Sequence, residues 1–158
     1  MNIVVNVSDA RVSSDPADTI ATYSLGSCIG VCLYDPVARV AGMLHYQLPT
    51  STMDAHKAAA HPLMFADTGT RHLLDAVTRL GANPRRLTVK LAGGAQILDD
   101  RNVFNIGARN HAAIRKVMWQ LGLFIDKEDV GGDAPRTLVM SVATGAVVVK
   151  AREQKYEL

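Results

Sequence analysis

Between Cys28 and Tyr46 the apolar residues keep a two-residue period interrupted by one turn signal, and this pattern limits the fold more than any other stretch. Ile29, Val31 and Leu33 alternate with Gly30, Cys32 and Tyr34, as a strand requires. Asp35-Pro36 starts a turn, and Val40 to Tyr46 reads as the returning strand. In a simple hairpin that pairs Tyr34 with Arg39, opposed residues have numbers summing to 73. Cys28 then faces His45, with Cβ atoms about 4.5–5.5 Å apart. A slip of one residue would put the two on opposite faces. The apolar pattern favours the register that joins them. Ile29, Val31 and Leu33 then share a face with Val40, Gly42, Leu44 and Tyr46, and the other face carries Cys28, Gly30, Cys32, Ala41, Met43 and His45.

The rest of the chain predicts an α+β domain over residues 1–158, with mixed sheets layered on two main helices. Met1 to Val7 reads as a strand, Arg11 to Asp18 as a polar loop and Pro49 to Pro62 as an exposed loop. Leu73, Leu74, Val77 and Leu80 recur at helical spacing before a stop at Gly81. Leu87 to Leu91 predicts a strand ending at Gly93-Gly94. Ile106, Asn110, Ala113, Ile114, Val117 and Leu121 form one face of a second helix, with Asn105 as its cap. Leu123–Lys127, Thr137–Val142 and Ala146–Lys150 are further strand candidates. Trp119 reads as a packing residue.

Composition excludes several classes of function. Hydrophobic residues are 48% and charged residues 20%, a globular balance. The net charge of +2 is spread along the chain, with no basic stripe for nucleic acid and no polybasic tail for a membrane. No apolar run approaches the ~20 residues of a membrane span, and the first ten residues lack a signal-peptide pattern, so a cytoplasmic protein is expected. Four residues of strand would separate the Cα atoms of Cys28 and Cys32 by roughly 13 Å. A disulfide needs less than about 7 Å, so both are expected as free thiols. His56 and His61 have no companions at metal-ligand spacing.

A thiol beside an imidazole can do acyl chemistry. Histidine takes the thiol proton, and later protonates a leaving amine and activates water. A third group usually orients the ring, and Thr22, Ser24 and Ser27 are the nearby hydroxyls. Gly26 allows a sharp turn whose amides, with Ser27, can hold an oxyanion. Free cysteines are also among the most buried residue types, which suits Cys32 in mid-strand better than Cys28 after Gly-Ser.

Thr22-x-x-Leu-Gly-Ser-Cys28, then Cys32-Leu-Tyr-Asp35, then Gly42-Met-x-His45-x-x-Leu-Pro49 resembles the chemoreceptor glutamine deamidases, the CheD family. Phe65-Ala-Asp67, Leu80-Gly-Ala82, Lys90 to Ala95, Ile106 to Asn110, Gly131-Gly132 and Thr144 to Val147 resemble further family blocks in order. The resemblance implies hydrolysis of receptor glutamine side chains to glutamate and ammonia, and leaves room for methyl-ester hydrolysis. It implies Cys28 as nucleophile, His45 as general base and acid, and Thr22 as the orienting residue. It implies no metal or organic cofactor. The partners it implies are methyl-accepting chemoreceptors as substrate and a CheC-type phosphatase, with the chain itself a monomer by default. The implied fold is akin to the cysteine-dependent deamidating toxins. The chain departs from the family pattern at Ala41, where a glycine is usual, and at Asp133-Ala-Pro-Arg136, where glycine usually precedes the arginine. A non-catalytic regulator is the alternative reading.

Overall fold

A computed structural model describes residues 1–97 and 105–158. Among the described residues, ten strands form two five-stranded sheets. One contains β1 (Asn2–Val4), β3 (Thr19–Leu25), β8 (Arg136–Ser141), β9 (Val147–Ala151) and β10 (Gln154–Glu157), in the order β1-β3-β8-β9-β10. The other contains β2 (Asp9–Ser13), β4 (Ile29–Asp35), β5 (Val40–Tyr46), β6 (Thr88–Gly93) and β7 (Lys127–Val130), in the order β2-β5-β4-β6-β7. Each sheet is antiparallel except for one parallel pair, β1 with β3 and β6 with β7. The helices are α1 (Ala55–Ala60), α2 (Ala66–Arg79) and α3 (Ile106–Gln120). This is the expected α+β layering.

The sheet containing the central hairpin is the middle layer, and every residue of β4 and β5 is buried. One of its faces, Ile29, Val31, Leu33, Val40, Leu44 and Tyr46, packs on Leu73 and Val77 of α2 and on Ile114 and Val117 of α3. The other, Cys32, Tyr34, Ala41 and Met43, packs on Ile20, Leu138, Met140 and Val149 of the first sheet. The two faces are those the alternation assigned. Gly42 lets α2 come close, since a Cβ there would sit 2.6 Å from Val77 and 2.9 Å from Leu73.

The hairpin register differs from the sequence expectation. Asp35 pairs with Val40 and Tyr34 with Ala41, so opposed numbers sum to 75 rather than 73. The turn explains this. Arg39 adopts φ 55° and donates its N–H to the Asp35 carbonyl at 2.8 Å, which removes Arg39 from the ladder. The buried Asp35 carboxylate fixes the turn by accepting from the N–H groups of Val37 (2.9 Å) and Ala38 (3.1 Å). It also accepts from Asn83 N–H at 2.8 Å and pairs with Arg86 at 2.9 Å. Burial pushes this carboxyl up, but the Arg86 guanidinium and the three backbone donors outweigh it and hold it well below the usual carboxylate range.

Other expectations shift in place. Val5 to Val7 lies outside β1, while part of the expected polar loop forms β2, whose Val12 packs on the core. Residues 49–62 contain a 3-10 turn (Ser51–Met53) and α1, capped by the Asp54 carboxylate accepting from Lys57 N–H, rather than a bare loop. The strand expected over Leu123–Lys127 begins only at Lys127, and β10 has no counterpart among the expected strands. Asn105 precedes α3 at φ 45°, but its side chain makes no capping bond. Trp119 is 83% exposed and not a packing residue.

Replacing Asp35 by alanine strips four turn and loop donors of a buried acceptor. The variant is expected to lose at least about 2 kcal/mol in urea unfolding, and Asp35→Asn, which keeps an acceptor oxygen, is expected to lose less. An Asp35→Ala protein as stable as its parent would remove the carboxylate as the determinant of the turn.

Candidate active site

The chain crosses from one sheet to the other through Gly26, Ser27 and Cys28, between β3 and β4. A crossing segment has no ladder partners, so its carbonyls must find others. All three do. The Gly26 carbonyl accepts from Ala95 N–H at 2.8 Å, the Cys28 carbonyl from Gly94 N–H at 2.9 Å, and the Ser27 carbonyl from Asn110 Nδ2 at 2.9 Å. Gly93 makes the close approach feasible. It has φ +116°, and a Cβ there would collide with the Cys28 carbonyl. Arg136, nearly buried, holds the Gly-Gly turn from the far side. Its guanidinium donates to the carbonyls of Gly131 (2.7 Å), Gly93 (3.3 Å) and Ala134 (3.3 Å). The unusual Asp133–Arg136 segment therefore ends in an arginine tied to the turn behind Cys28.

β3 contributes Thr22 through a bulge. The strand pairs Thr22 with Leu138 but Leu25 with Arg136, so three steps on β3 meet two on β8. Ser24 takes φ 57° there. Tyr23 and Ser24 face solvent, while Thr22 and Leu25 stay buried. Thr22 thus reaches across to the middle sheet, where its Oγ1 lies 2.8 Å from His45 Nδ1. The same hydroxyl donates to the Val5 carbonyl at 2.7 Å. A carbonyl can only accept, so the one hydroxyl proton belongs to Val5. His45 Nδ1 must then carry a proton and donate it to Thr22, which leaves Nε2 as the ring's lone pair. That Nε2 is buried and has no hydrogen-bond partner among the described residues. A buried acceptor without a donor is rare and points to a function.

In the observed register His45 lies opposite Gly30 and not opposite Cys28. Because the sum moved by two, the parity is unchanged and both side chains keep the same face. Cys28 lies one residue before β4, outside the ladder, and packs against the cluster that contains Cys32, Ala41 and Met43. The structure thus brings Thr22 and His45 into contact and leaves Cys28 on the same face of the sheet, with no hydrogen bond to His45 among the described residues.

Burial dominates the electrostatics. It pushes the imidazole of His45 down to about 4. It pushes the Cys28 thiol up, opposed in part by the residue's own backbone N–H. At neutral pH both groups are uncharged. Cys28 is partly exposed and Cys32 buried, and burial drives the Cys32 thiol up to about 12 against the pull of Lys90. Both cysteines are free.

Asn110 and the Gly93-Gly94 turn join this site without a motif that assigns them to it. A polar amide on the apolar stripe of a helix, and paired glycines straight after a strand, are the signals the sequence carries. His111 of α3 is half-buried, and its Nε2 lies 2.8 Å from Glu128 Oε1.

Comparison with known proteins agrees with these motifs. A family described as CheD chemotactic sensory transduction matches residues 47–151. A protein of Solibacter usitatus described as a probable chemoreceptor glutamine deamidase CheD is 45% identical over 156 residues, spanning 99% of this chain and 92% of its own. One of Syntrophus aciditrophicus, described as a probable chemoreceptor glutamine deamidase CheD 1, is 47% identical over 150 residues, 95% of this chain and 94% of its own. The Thermotoga maritima chemoreceptor glutamine deamidase CheD is 36% identical over 150 residues, 95% and 92%. The Bacillus licheniformis hypothetical protein YfiH aligns with a TM-score of 0.48 and 17% identity over 77% of this chain and 49% of its own. With a matching family model and relatives similar over almost their whole length, this chain belongs to the CheD family.

Proposed function

We propose that this chain deamidates chemoreceptor glutamines to glutamate with release of ammonia, and that Cys28, His45 and Thr22 carry the reaction. The single observation behind the assignment of residues is the partnerless, buried Nε2 of His45 on the Cys28 face. The Thr22–Val5 hydrogen bond supports it by fixing the ring in the tautomer that a general base needs.

The resting pair is neutral, so the thiol gives up its proton as it reacts. Cys28 Sγ adds to the glutamine carbonyl carbon, and its proton passes to His45 Nε2. The carbonyl π electrons move onto oxygen, where N–H groups of the Gly26–Cys28 segment, Ser27 among them, receive the charge. The oxyanion collapses, the C–N bond breaks and Nε2–H protonates the departing nitrogen, leaving a thioester and ammonia. Water then adds to the thioester carbon as Nε2 takes its proton. The C–S bond breaks, the proton returns to sulfur, and glutamate is released. No step calls for a metal or an organic cofactor. The same thioester would form from a glutamate methyl ester. Residues 1–158 act as one catalytic domain in this reading. By family resemblance, the receptors are its substrate and a CheC-type phosphatase its partner; a cytoplasmic monomer is the default reading of the sequence itself.

Incubating a receptor fragment with the protein is expected to raise the fragment's mass by about one dalton per modified glutamine, measured by mass spectrometry. Cys28→Ala is expected to abolish the gain while leaving the fold intact. Continued deamidation by that variant would remove Cys28 as the nucleophile and favour a thiol-independent reading.

Two pH dependences follow from burial. His45 serves as a base only when neutral, and its folded value is lowered to about 4. The acid limb of kcat/KM is therefore expected near pH 4 and not near the ordinary histidine value of about 6.5. Alkylation of Cys28 by iodoacetamide is expected to climb through and above a pH of about 8.5, with Cys32 unreactive throughout. A rate plateau below neutral pH would instead indicate a preformed thiolate–imidazolium pair.

Thr22→Val keeps the shape of the side chain but frees His45 Nδ1. A kcat loss of about 10²-fold is expected, with Thr22→Ser restoring most of it. Equal activity in the valine and serine variants would leave the hydroxyl without a part in orienting the ring.

A further inference from the structure

Asn110 has no solvent exposure and lies on the apolar stripe of α3, next to Ala113 and Ile114. Its Nδ2 donates to two carbonyls, Ser27 and Gln47, each at 2.9 Å. These lie where the β4–β5 ladder has just ended and the two strands diverge. Beyond β5 the chain pairs instead with Met64, whose carbonyl accepts from the N–H groups of Gln47 and Leu48. The amide of Asn110 fills the fork. Tyr46 fastens the helix at the same point, its hydroxyl donating to the Asn110 backbone carbonyl at 2.7 Å.

The other half of the amide is unsatisfied. Asn110 Oδ1 is buried and accepts from no donor among the described residues. Rotating the amide would not help, because the oxygen would then face two carbonyl oxygens. A leucine in this stripe would avoid the stranded oxygen, so what the asparagine contributes is its two donors.

We infer that Asn110 is a positioning residue for the deamidation step, acting through the Ser27–Cys28 peptide. This rests on the catalytic reading of Cys28 above. In a trans peptide the C=O and the following N–H point in opposite directions. Holding the Ser27 carbonyl on α3 therefore turns the Cys28 N–H away from the helix. The Ala95 bond to the Gly26 carbonyl does the same for the Ser27 N–H. The two amides that would receive the oxyanion are aimed by bonds made behind them. Asn110 supplies one of those bonds from outside both sheets.

The test separates oxyanion stabilisation from nucleophile activation. Asn110→Ala is expected to lower kcat for receptor-fragment deamidation by about 10²-fold, the scale of losing an oxyanion donor, with KM changed less than about threefold. Alkylation of Cys28 by iodoacetamide displaces iodide from a methylene carbon and develops no oxyanion, so its rate is expected to stay within about threefold of the parent. Asn110→Ser offers one donor for the two carbonyls and is expected to be intermediate in kcat. It also serves if the alanine variant does not fold. A kcat within about threefold of the parent in both variants would overturn the inference. Equal loss of kcat and alkylation would also overturn it, reducing Asn110 to a scaffold residue. The parent and Cys28→Ala are assayed alongside. An inactive parent or an active Cys28→Ala would overturn the catalytic reading and this inference with it. With an active parent and an inactive Cys28→Ala, the catalytic reading stands and the Asn110 variants alone decide the role of Asn110.

Discussion

The chain must leave one sheet and enter the other within three residues, and the site depends on how that crossing is held. Gly26, Ser27 and Cys28 belong to no ladder, yet their carbonyls point into the protein and all three are satisfied. The donors come from the Gly94-Ala95 turn and from α3, not from neighbouring strands. Backbone that has lost its ladder is ordinarily soft. Here the three anchors make it as determined as a strand while leaving its N–H side free of them. Strand geometry alone could not do this, because a ladder uses donors and acceptors on both sides of the chain.

Much of this is legible in the sequence. The alternation through Ile29–Tyr46 assigns both faces of the hairpin, because burial on each side penalises any odd shift. It cannot distinguish register sums that differ by two, which bury the same side chains. That choice belongs to Arg39, which has no feature in the sequence that marks it for a left-handed conformation, and to the Asp35 carboxylate and its Arg86 partner fifty-one residues away. Thr22 is reached by motif resemblance. Its bond to Val5 is out of reach, since it joins the segment after β1 to β3 across a parallel pair that no local pattern predicts. β2 is hidden for a similar reason. Its polar residues lie at a sheet edge, where a half-exposed strand and a loop have the same composition.

The proposed catalytic set and the two-sheet core are one construction. Thr22 belongs to the first sheet, His45 to the second, and Cys28 to the segment that joins them. Thr22 and His45 are a polar link through an otherwise apolar layer, and each polar atom is accounted for except Nε2. The apolar surroundings that make an unsatisfied nitrogen costly also keep the imidazole neutral and the thiol protonated. A preformed ion pair in that layer would need compensation that no neighbouring charge among the described residues provides. A neutral pair needs none, and in the proposed reaction it becomes charged only when a carbonyl arrives to take the sulfur's electrons and the aimed amides take the oxyanion. On the proposed mechanism, the solvent-poor layer would restrain the free thiol from chance electrophiles, and its nucleophilicity would be expressed mainly on a substrate that docks its amide carbonyl against the Gly26–Cys28 turn.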